Sequence, residues 1–290
     1  MNVLITASAS DFAPKLLTEL LADSRVELAI GVDQEQNDFQ HERFVQVLLD
    51  LRLPQLARVL QNIQTVIHLA LALTDTDRNT ALAATRNLCE LAYAAGVRNL
   101  ILVSSAFIYD TQIGNGAMRE DHPRGAPSGC APASALQAAE DWLDSFEREH
   151  PDLRLVRLRP HWVLGPHSNS LLAWVLNGHR TPRLPLPYPA LQCLHENDLV
   201  QAILQAVHSQ ARGAFNLAAS EATTLPELHK QARWFRLRST PERVAQRYGM
   251  DSQCGELLRR DLVLDTARAR EELSWQPRYT QTREILKSRR

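Results

Sequence analysis

The sequence predicts an α/β protein, a doubly wound parallel sheet followed by a smaller C-terminal α/β domain of the substrate-binding type. Three observations carry this. The chain opens as strand, tight turn and helix: Asn2-Val3-Leu4-Ile5-Thr6 is an apolar run suited to a buried parallel strand, and Ala13-Pro14 begins a helical pattern, proline being at home in a first turn. Apolar runs and helical stretches then alternate through the first third of the chain, which implies a parallel sheet covered on both faces. Past Gly165-Pro166 the texture changes to short strands mixed with helices.

A strand, turn and helix at the start is the opening of a Rossmann-type dinucleotide-binding unit, in which the turn is glycine-rich. Here the turn reads Ala7-Ser8-Ala9-Ser10-Asp11-Phe12-Ala13, and the first glycine of the protein is Gly31. Residues 26–33 read as a second strand ending in an acid, and 44–49 as a third, followed by Asp50-Leu51 and a helix over 53–60. A fourth strand covers 65–70, and a long helix over 79–95 is stopped by Gly96, where a left-handed residue is favoured. A fifth strand covers 99–104. Residues 106–133 hold Gly114, Gly116, Gly125 and Gly129 with Pro123, Pro127 and Pro132, and read as a long loop. A helix over 134–149 carries Leu136, Ala139, Leu143 and Phe146 on one stripe, with Trp142 beside it, and leads to a sixth strand over 153–159. Later strands are expected at 192–195 and 214–217, and helices at 198–207, 225–237 and 265–273. The expected division is a dinucleotide-binding-type domain over 1–165 and a smaller domain over 166–290, with about 192–217 returning to the first sheet.

Composition narrows the class. The 290 residues are 44% hydrophobic and 22% charged with a net charge of −1, so no overall field favours nucleic acid or an anionic membrane. No apolar stretch approaches a membrane span. The four cysteines are widely separated without a C-x-x-C pair, and the N-terminus has no leader pattern; both read as a cytoplasmic, thiol-reduced protein. Only three residues are lysines: Lys15, Lys230 and Lys287.

Six segments, in order, resemble the extended short-chain dehydrogenase/reductases, the NAD-dependent sugar-nucleotide epimerases and dehydratases. Val66-Ile67-His68-Leu69-Ala70 is similar to that family's fourth strand. Asn79, Thr85-Arg86-Asn87-Leu88 and Ala95-Gly96-Val97 resemble its N-V-x-G-T-x-N-L…A-G-V helix, and Val103 to Tyr109 its S-S-x-x-V-Y-G strand end. Arg159 to Pro166 resembles R-P-x-x-V-Y-G-P, His195 to Val200 resembles H-V-D-D-V-A, and Ala267-Arg268 to Trp275-Gln276-Pro277 the A-R-x-E-L-G-W-x-P tail.

The resemblance places chemistry that this chain lacks. The three glycines of T-G-x-x-G-x-x-G fall on Ala7, Ser10 and Ala13, while Asp11 adds a carboxylate, next to Phe12, where a pyrophosphate would rest. Aligned on the helix glutamate at Glu140, the Y-x-x-x-K pair falls on Pro132 and Leu136. A tyrosine acid/base needs the lysine's charge to lower its pKa; proline transfers no proton and leucine has no charge. No tyrosine has a lysine four residues on, and the acids that dehydratases place after the serine pair are replaced by Ala106 and Phe107. Of the catalytic set only Ser105 remains. The adenosine end is better kept: Asp33 stands where an acid meets the ribose, Asp50-Leu51 matches the adenine-side D-L, and Leu69-Ala70 closes the fourth strand.

The reading is therefore a catalytically silent relative with a binding, regulatory or assembly role, in which NAD binding is weak or vestigial. The alternatives are an active NAD(P)-dependent epimerase, dehydratase or reductase with a rebuilt site, and an RNA-binding or regulatory subunit. His122, Cys130 and Ser134 flank the lost tyrosine and are the candidates for substitute acid–base chemistry, although loop residues of these types are more often simply exposed. Cys193 and His195 face one side of a short strand but have no second pair to complete a metal site. From Leu225 onward 15 basic residues stand against nine acids, interleaved with Trp234, Phe235, Trp275 and Tyr279; a solvated basic face is favoured over an RNA surface. The resemblance also implies a homodimer through helices 79–95 and 134–149, with a small molecule or another protein as possible partner.

Overall fold

The computed structural model describes residues 1–70, 78–114, 116–178, 180–184, 186–232, 237–247, 250 and 252–288. Trp234 and Phe235, named above in the basic C-terminal stretch, lie outside them. The first unit runs β1 (Asn2–Thr6), α1 (Ala13–Ala22), β2 (Leu28–Asp33), β3 (Phe44–Leu48), α2 (Leu56–Val59), β4 (Thr65–His68), α3 (Arg78–Ala94), β5 (Asn99–Val103), α4 (Ala131–Glu149) and β6 (Arg154–Pro160). Then come β7 (Trp162–Leu164), α5 (Leu171–Asn177), β8 (Arg180–Pro182), β9 (Ala190–His195), α6 (Glu196–His208), β10 (Gly213–Leu217), β11 (Ala222–Thr224) and α7 (Leu225–Ala232). The chain ends with β12 (Leu237–Ser239), α8 (Pro241–Arg247), a 3-10 segment at Ser252–Arg259, α9 (Ala267–Glu272) and α10 (Thr282–Ser288).

Seven strands form one sheet in the order β10-β6-β5-β4-β1-β2-β3, each pair of neighbours parallel. Strand alternation decides which helices cover which face. Val3 and Ile5 pack with Leu16, Leu20 and Ile203, under α1 and α6, while Leu4 turns to Leu56 and Leu88, under α2 and α3. Leu100, Leu102 and Leu155 meet Leu136, Leu143 and Phe146 of α4 on that second face. Strand order reverses between β1 and β4, and ligands of such sheets bind outside the strand ends at this switch point.

One buried polar junction fixes those strand ends. His68 Nδ1 lies 2.7 Å from Thr6 Oγ1 and its Nε2 3.0 Å from Thr85 Oγ1, tying β4 to β1 and α3. Burial pushes its pKa down to about 4, so the ring is a neutral structural group.

A separate apolar cluster joins β7, β9, α5, α7, α8 and the 3-10 segment. Within 192–217, β10 pairs with β6 of the main sheet, whereas β9 lies between β7 and β11 in a three-stranded sheet.

Several elements differ from the sequence expectations. α4 begins at Ala131, three residues before position 134, because Pro132 needs no amide partner in a first turn. The helix expected over 53–60 shrinks to α2. The helix expected over 225–237 ends at Ala232; 233–236 lie outside the described residues, and Leu237–Ser239 is a strand. Cys130 and Cys254 form a disulfide, which corrects the thiol-reduced reading and removes one support for a cytoplasmic placement. Cys89 and Cys193 are free and buried. No helix of the described residues is long and apolar enough to cross a membrane.

Candidate ligand-binding cleft

The turn after β1 keeps the shape of a glycine turn without its glycines. Ala7 has φ 51°, the left-handed conformation that costs a residue with a Cβ. Ser10 closes the turn on it, both its amide (3.1 Å) and its hydroxyl (2.8 Å) donating to the Ala7 carbonyl. The Ala9 amide donates to Asp33 Oδ2 at 2.8 Å, and the Asn37 side-chain amide donates to the Ser8 carbonyl. Behind the turn, a Cβ on Gly31 would stand 2.7 Å from Ser8, so the loop presses on bare backbone there.

The acids of the adenosine end are engaged within the chain. Besides Ala9, Asp33 accepts from the amides of Gln34 (2.7 Å) and Glu35 (3.3 Å) through Oδ1. Asp50 accepts from Arg52 Nε at 3.0 Å, and this bonding, with the nearby charge, holds its carboxyl below the usual range. Leu51 is buried in the core beneath.

Between this turn, the ends of β4 and β5, and the first turns of α4 lies a cavity of about 370 Å³. Pro132 and Leu136 form part of its wall, with Phe12, Leu69, Ala70 and Ser105. Ser105 Oγ accepts from the Phe107 amide at 3.3 Å, capping the short turn at Ala106–Ile108. The lining also includes three aromatic rings, Phe107, Trp162 and Trp174. His161 also borders the cavity. Its Nδ1 accepts from the Gln192 amide at 3.1 Å, which puts the ring proton on Nε2, and Nε2 has no partner among the described residues. Burial drives this histidine's pKa down to about 3, so it stays neutral.

A polar cleft continues from the cavity past Ser10 and Asp11 to Gln36, Asn37 and Asp38. His167 borders both spaces. Its Nδ1 lies 2.9 Å from Glu196 Oε1, and its backbone amide donates to Oε2 at 3.1 Å. Glu196 is 3% exposed at the start of α6, against the bare Cα of Gly165, where a Cβ would stand 2.3 Å from the carboxylate. No lysine or arginine is among the described residues lining either space.

The candidates for substitute chemistry are placed elsewhere. His122 Nε2 bonds the Asp110 carbonyl at 2.8 Å, Cys130 is in the disulfide, and the Ser134 hydroxyl donates to the Ala131 carbonyl at 3.1 Å. His195 caps α6, accepting from the Asn197 amide at 3.0 Å. Reading by sequence missed the His167–Glu196 pair. Its signal was a glutamate at the valine of the H-V-D-D-V-A pattern, a charge where the pattern is apolar.

A profile of the NAD dependent epimerase/dehydratase family matches residues 12–218. The chain belongs to that family. Among its relatives are the uncharacterized proteins Rv0501 of Mycobacterium tuberculosis and Mb0513 of Mycobacterium bovis, each 27% identical over 259 residues, covering 81% of this chain and 68% of the relative. In fold it matches the UDP-glucose 4-epimerase of Thermotoga maritima solved with UDP-glucose (TM-score 0.80, 20% identity, 99% of this chain and 97% of that one). MoeE5 in complex with UDP-glucuronic acid and NAD is similar (TM-score 0.79, 21% identity, again 99% and 97%). So is DesIV, a dTDP-glucose 4,6-dehydratase of Streptomyces venezuelae (TM-score 0.75, 20% identity, 100% and 95%).

Proposed function

We propose that this chain is a member of the family without hydride chemistry, which uses the cleft to bind a small molecule in a regulatory or assembly role. The observation that carries the reading is the cavity wall at Pro132 and Leu136. The family resemblance puts a proton-transferring tyrosine and its lysine there, and neither residue present moves a proton or carries charge.

The cofactor the family implies fits poorly. A pyrophosphate needs free turn amides and a positive field, but the Ala9 amide is engaged by Asp33, Asp11 brings a carboxylate to the site, and no described lining residue is lysine or arginine. The same absence of cations works against nucleotide sugars. The rival reading is an active epimerase, dehydratase or reductase with a rebuilt site, which would have to work without the tyrosine–lysine pair and with Ser105 alone of the family's catalytic set. A panel of UDP- and dTDP-sugars with NAD and NADP, followed at the nicotinamide absorbance and by product analysis, is expected to show no turnover above background. Turnover that Ser105→Ala abolishes would overturn the reading. Pro132→Tyr with Leu136→Lys should not create activity, because the turn remains wrong for the diphosphate.

Self-association through α3 and α4 is proposed on the same footing. Trp142 stacks on Phe146 with centroids 4.8 Å apart, and Arg86 lies 5.6 Å over its ring, giving a half-buried aromatic on the outer face of this helix pair. Two copies of each helix about a two-fold axis would bury it. Light scattering at tens of micromolar should give a dimer mass that Trp142→Glu reduces; a monomer, or a mass the variant leaves unchanged, would sink the idea. Nucleic acid is not a partner in this reading: Arg259 pairs with Glu242 and Glu256, Arg268 with Glu272, and Arg260 binds the carbonyls of Tyr109 and Gly125.

A further inference from the structure

The residues at the seam between cavity and cleft form a constructed group that the family pattern does not explain. Glu196 is buried, and both its oxygens are directed at one residue, Oε1 at the ring of His167 and Oε2 at its amide. Gly165 leaves the room this carboxylate occupies. The loop is braced on either side: Gly165 donates to Ser168 Oγ at 2.9 Å, Ser168 Oγ donates back to the Gly165 carbonyl at 3.0 Å, and Ser170 Oγ donates to the Val163 carbonyl at 3.2 Å. A side chain that is 59% exposed is thus held in one orientation. With Nδ1 engaged by Glu196, Nε2 is the ring nitrogen left to meet a ligand, and in the imidazole form it is a hydrogen-bond acceptor.

The surroundings define what Nε2 would accept from. The cavity beside it is walled by Phe107, Trp162, Trp174 and Met250. Asp11 lines both spaces, and no described lining residue is lysine or arginine, so an anionic head is opposed there. Deeper in, the buried Nε2–H of His161 lacks a protein partner, and a buried donor is normally satisfied. An acceptor oxygen on the ligand would satisfy it.

We propose that the cleft takes an uncharged hydrophobic molecule bearing a hydroxyl group, its ring system among Phe107, Trp162 and Trp174 and its hydroxyl donating to His167 Nε2. This deepens, and rests on, the reading of the cleft as a binding site without hydride chemistry. Glu196 is a positioning residue, fixing which nitrogen of His167 is presented. The cavity of about 370 Å³ lies in the range of small-molecule pockets, which suits a two-ring body.

The test is equilibrium dialysis of the full chain against three probes: 2-naphthol, 2-methoxynaphthalene and naphthalene-2-sulfonate. The hydroxyl probe should bind about tenfold more tightly than the methoxy probe, which cannot donate, and than the sulfonate, which Asp11 opposes. His167→Ala should erase the preference of hydroxyl over methoxy, and Trp174→Ala should weaken both. Because the His167 side chain is largely exposed, its variant is expected to fold; His167→Gln, which keeps a polar side chain, provides a second reading and should restore part of the preference. Equal binding of hydroxyl and methoxy probes, tightest binding of the sulfonate, no binding of any probe, or a preference that survives His167→Ala would each overturn the proposal. Failure of the naphthols beside a silent sugar-nucleotide panel removes this proposal alone; NAD-linked turnover removes the reading beneath it.

Discussion

Glu140→Gln is expected to destabilise the protein by about 3–5 kcal/mol, because it breaks a buried ion pair from one side and strands the other charge. Arg159 is 1% exposed and Glu140 is fully buried. Arg159 Nε lies 3.1 Å from each carboxylate oxygen, and the guanidinium also donates to the Tyr109 hydroxyl (2.7 Å) and the Glu120 carbonyl (2.8 Å). Tyr109 in turn donates to Asn216 Oδ1 at 2.7 Å, so the network fastens α4 to β6, β10 and the long loop. Glutamine keeps the shape and loses the charge, leaving the guanidinium in the core without its counter-ion. Urea unfolding should show the loss as a lower midpoint at unchanged slope. Replacing both partners, Glu140→Leu with Arg159→Met, should be less harmful than the single change.

The pair also sets a pH dependence. Burial alone would raise the Glu140 pKa, but the charges of Arg159 and Arg124 and the bonds to Arg159 outweigh it and hold the value below 4.5. A carboxyl whose folded pKa is depressed binds fewer protons folded than unfolded. Its stabilisation is therefore complete above the unfolded value and is lost as pH falls through the folded one. The stability gap between the parent and Glu140→Gln should be widest above about pH 5 and narrow on acidification. A gap that stays constant to pH 3 would show that the charge of Glu140 contributes little.

The first unit was legible because its signals are long or positional. Val3, Leu4 and Ile5 alternate as a buried strand must, and Gly96, at φ 92°, stops α3 where a left-handed residue is needed. The positions of Pro132 and Leu136 followed from counting back from Glu140, and both do line the cavity. What escaped was short or distant. β7, β8, β11 and β12 are three residues each, too brief for any period to register. The start of α4 was hidden by a proline-rich composition that reads as loop. The disulfide joins cysteines 124 residues apart, and His167 meets Glu196 across 29, pairings that only the tertiary fold makes. Asp33 was identified by position, but its engagement with its own loop amides has no sequence signature.

Affinity for NAD bears on the central claim, since hydride chemistry in this family begins with the dinucleotide. In the proposed reading two phosphate contacts are compromised. Asp33 holds the Ala9 amide, and the Ser10 hydroxyl is turned inward onto the Ala7 carbonyl in place of bare backbone. Charge-assisted hydrogen bonds contribute about 1.5–3 kcal/mol each, so losing two weakens binding by a hundredfold or more, before the repulsion from Asp11 is added. The direct measurement is a calorimetric titration of the purified chain with NAD, preceded by a check for nucleotide carried through purification. The expected result is no co-purifying NAD and a dissociation constant no tighter than about 100 μM. Stoichiometric bound NAD, or saturation at low micromolar concentration, would contradict it.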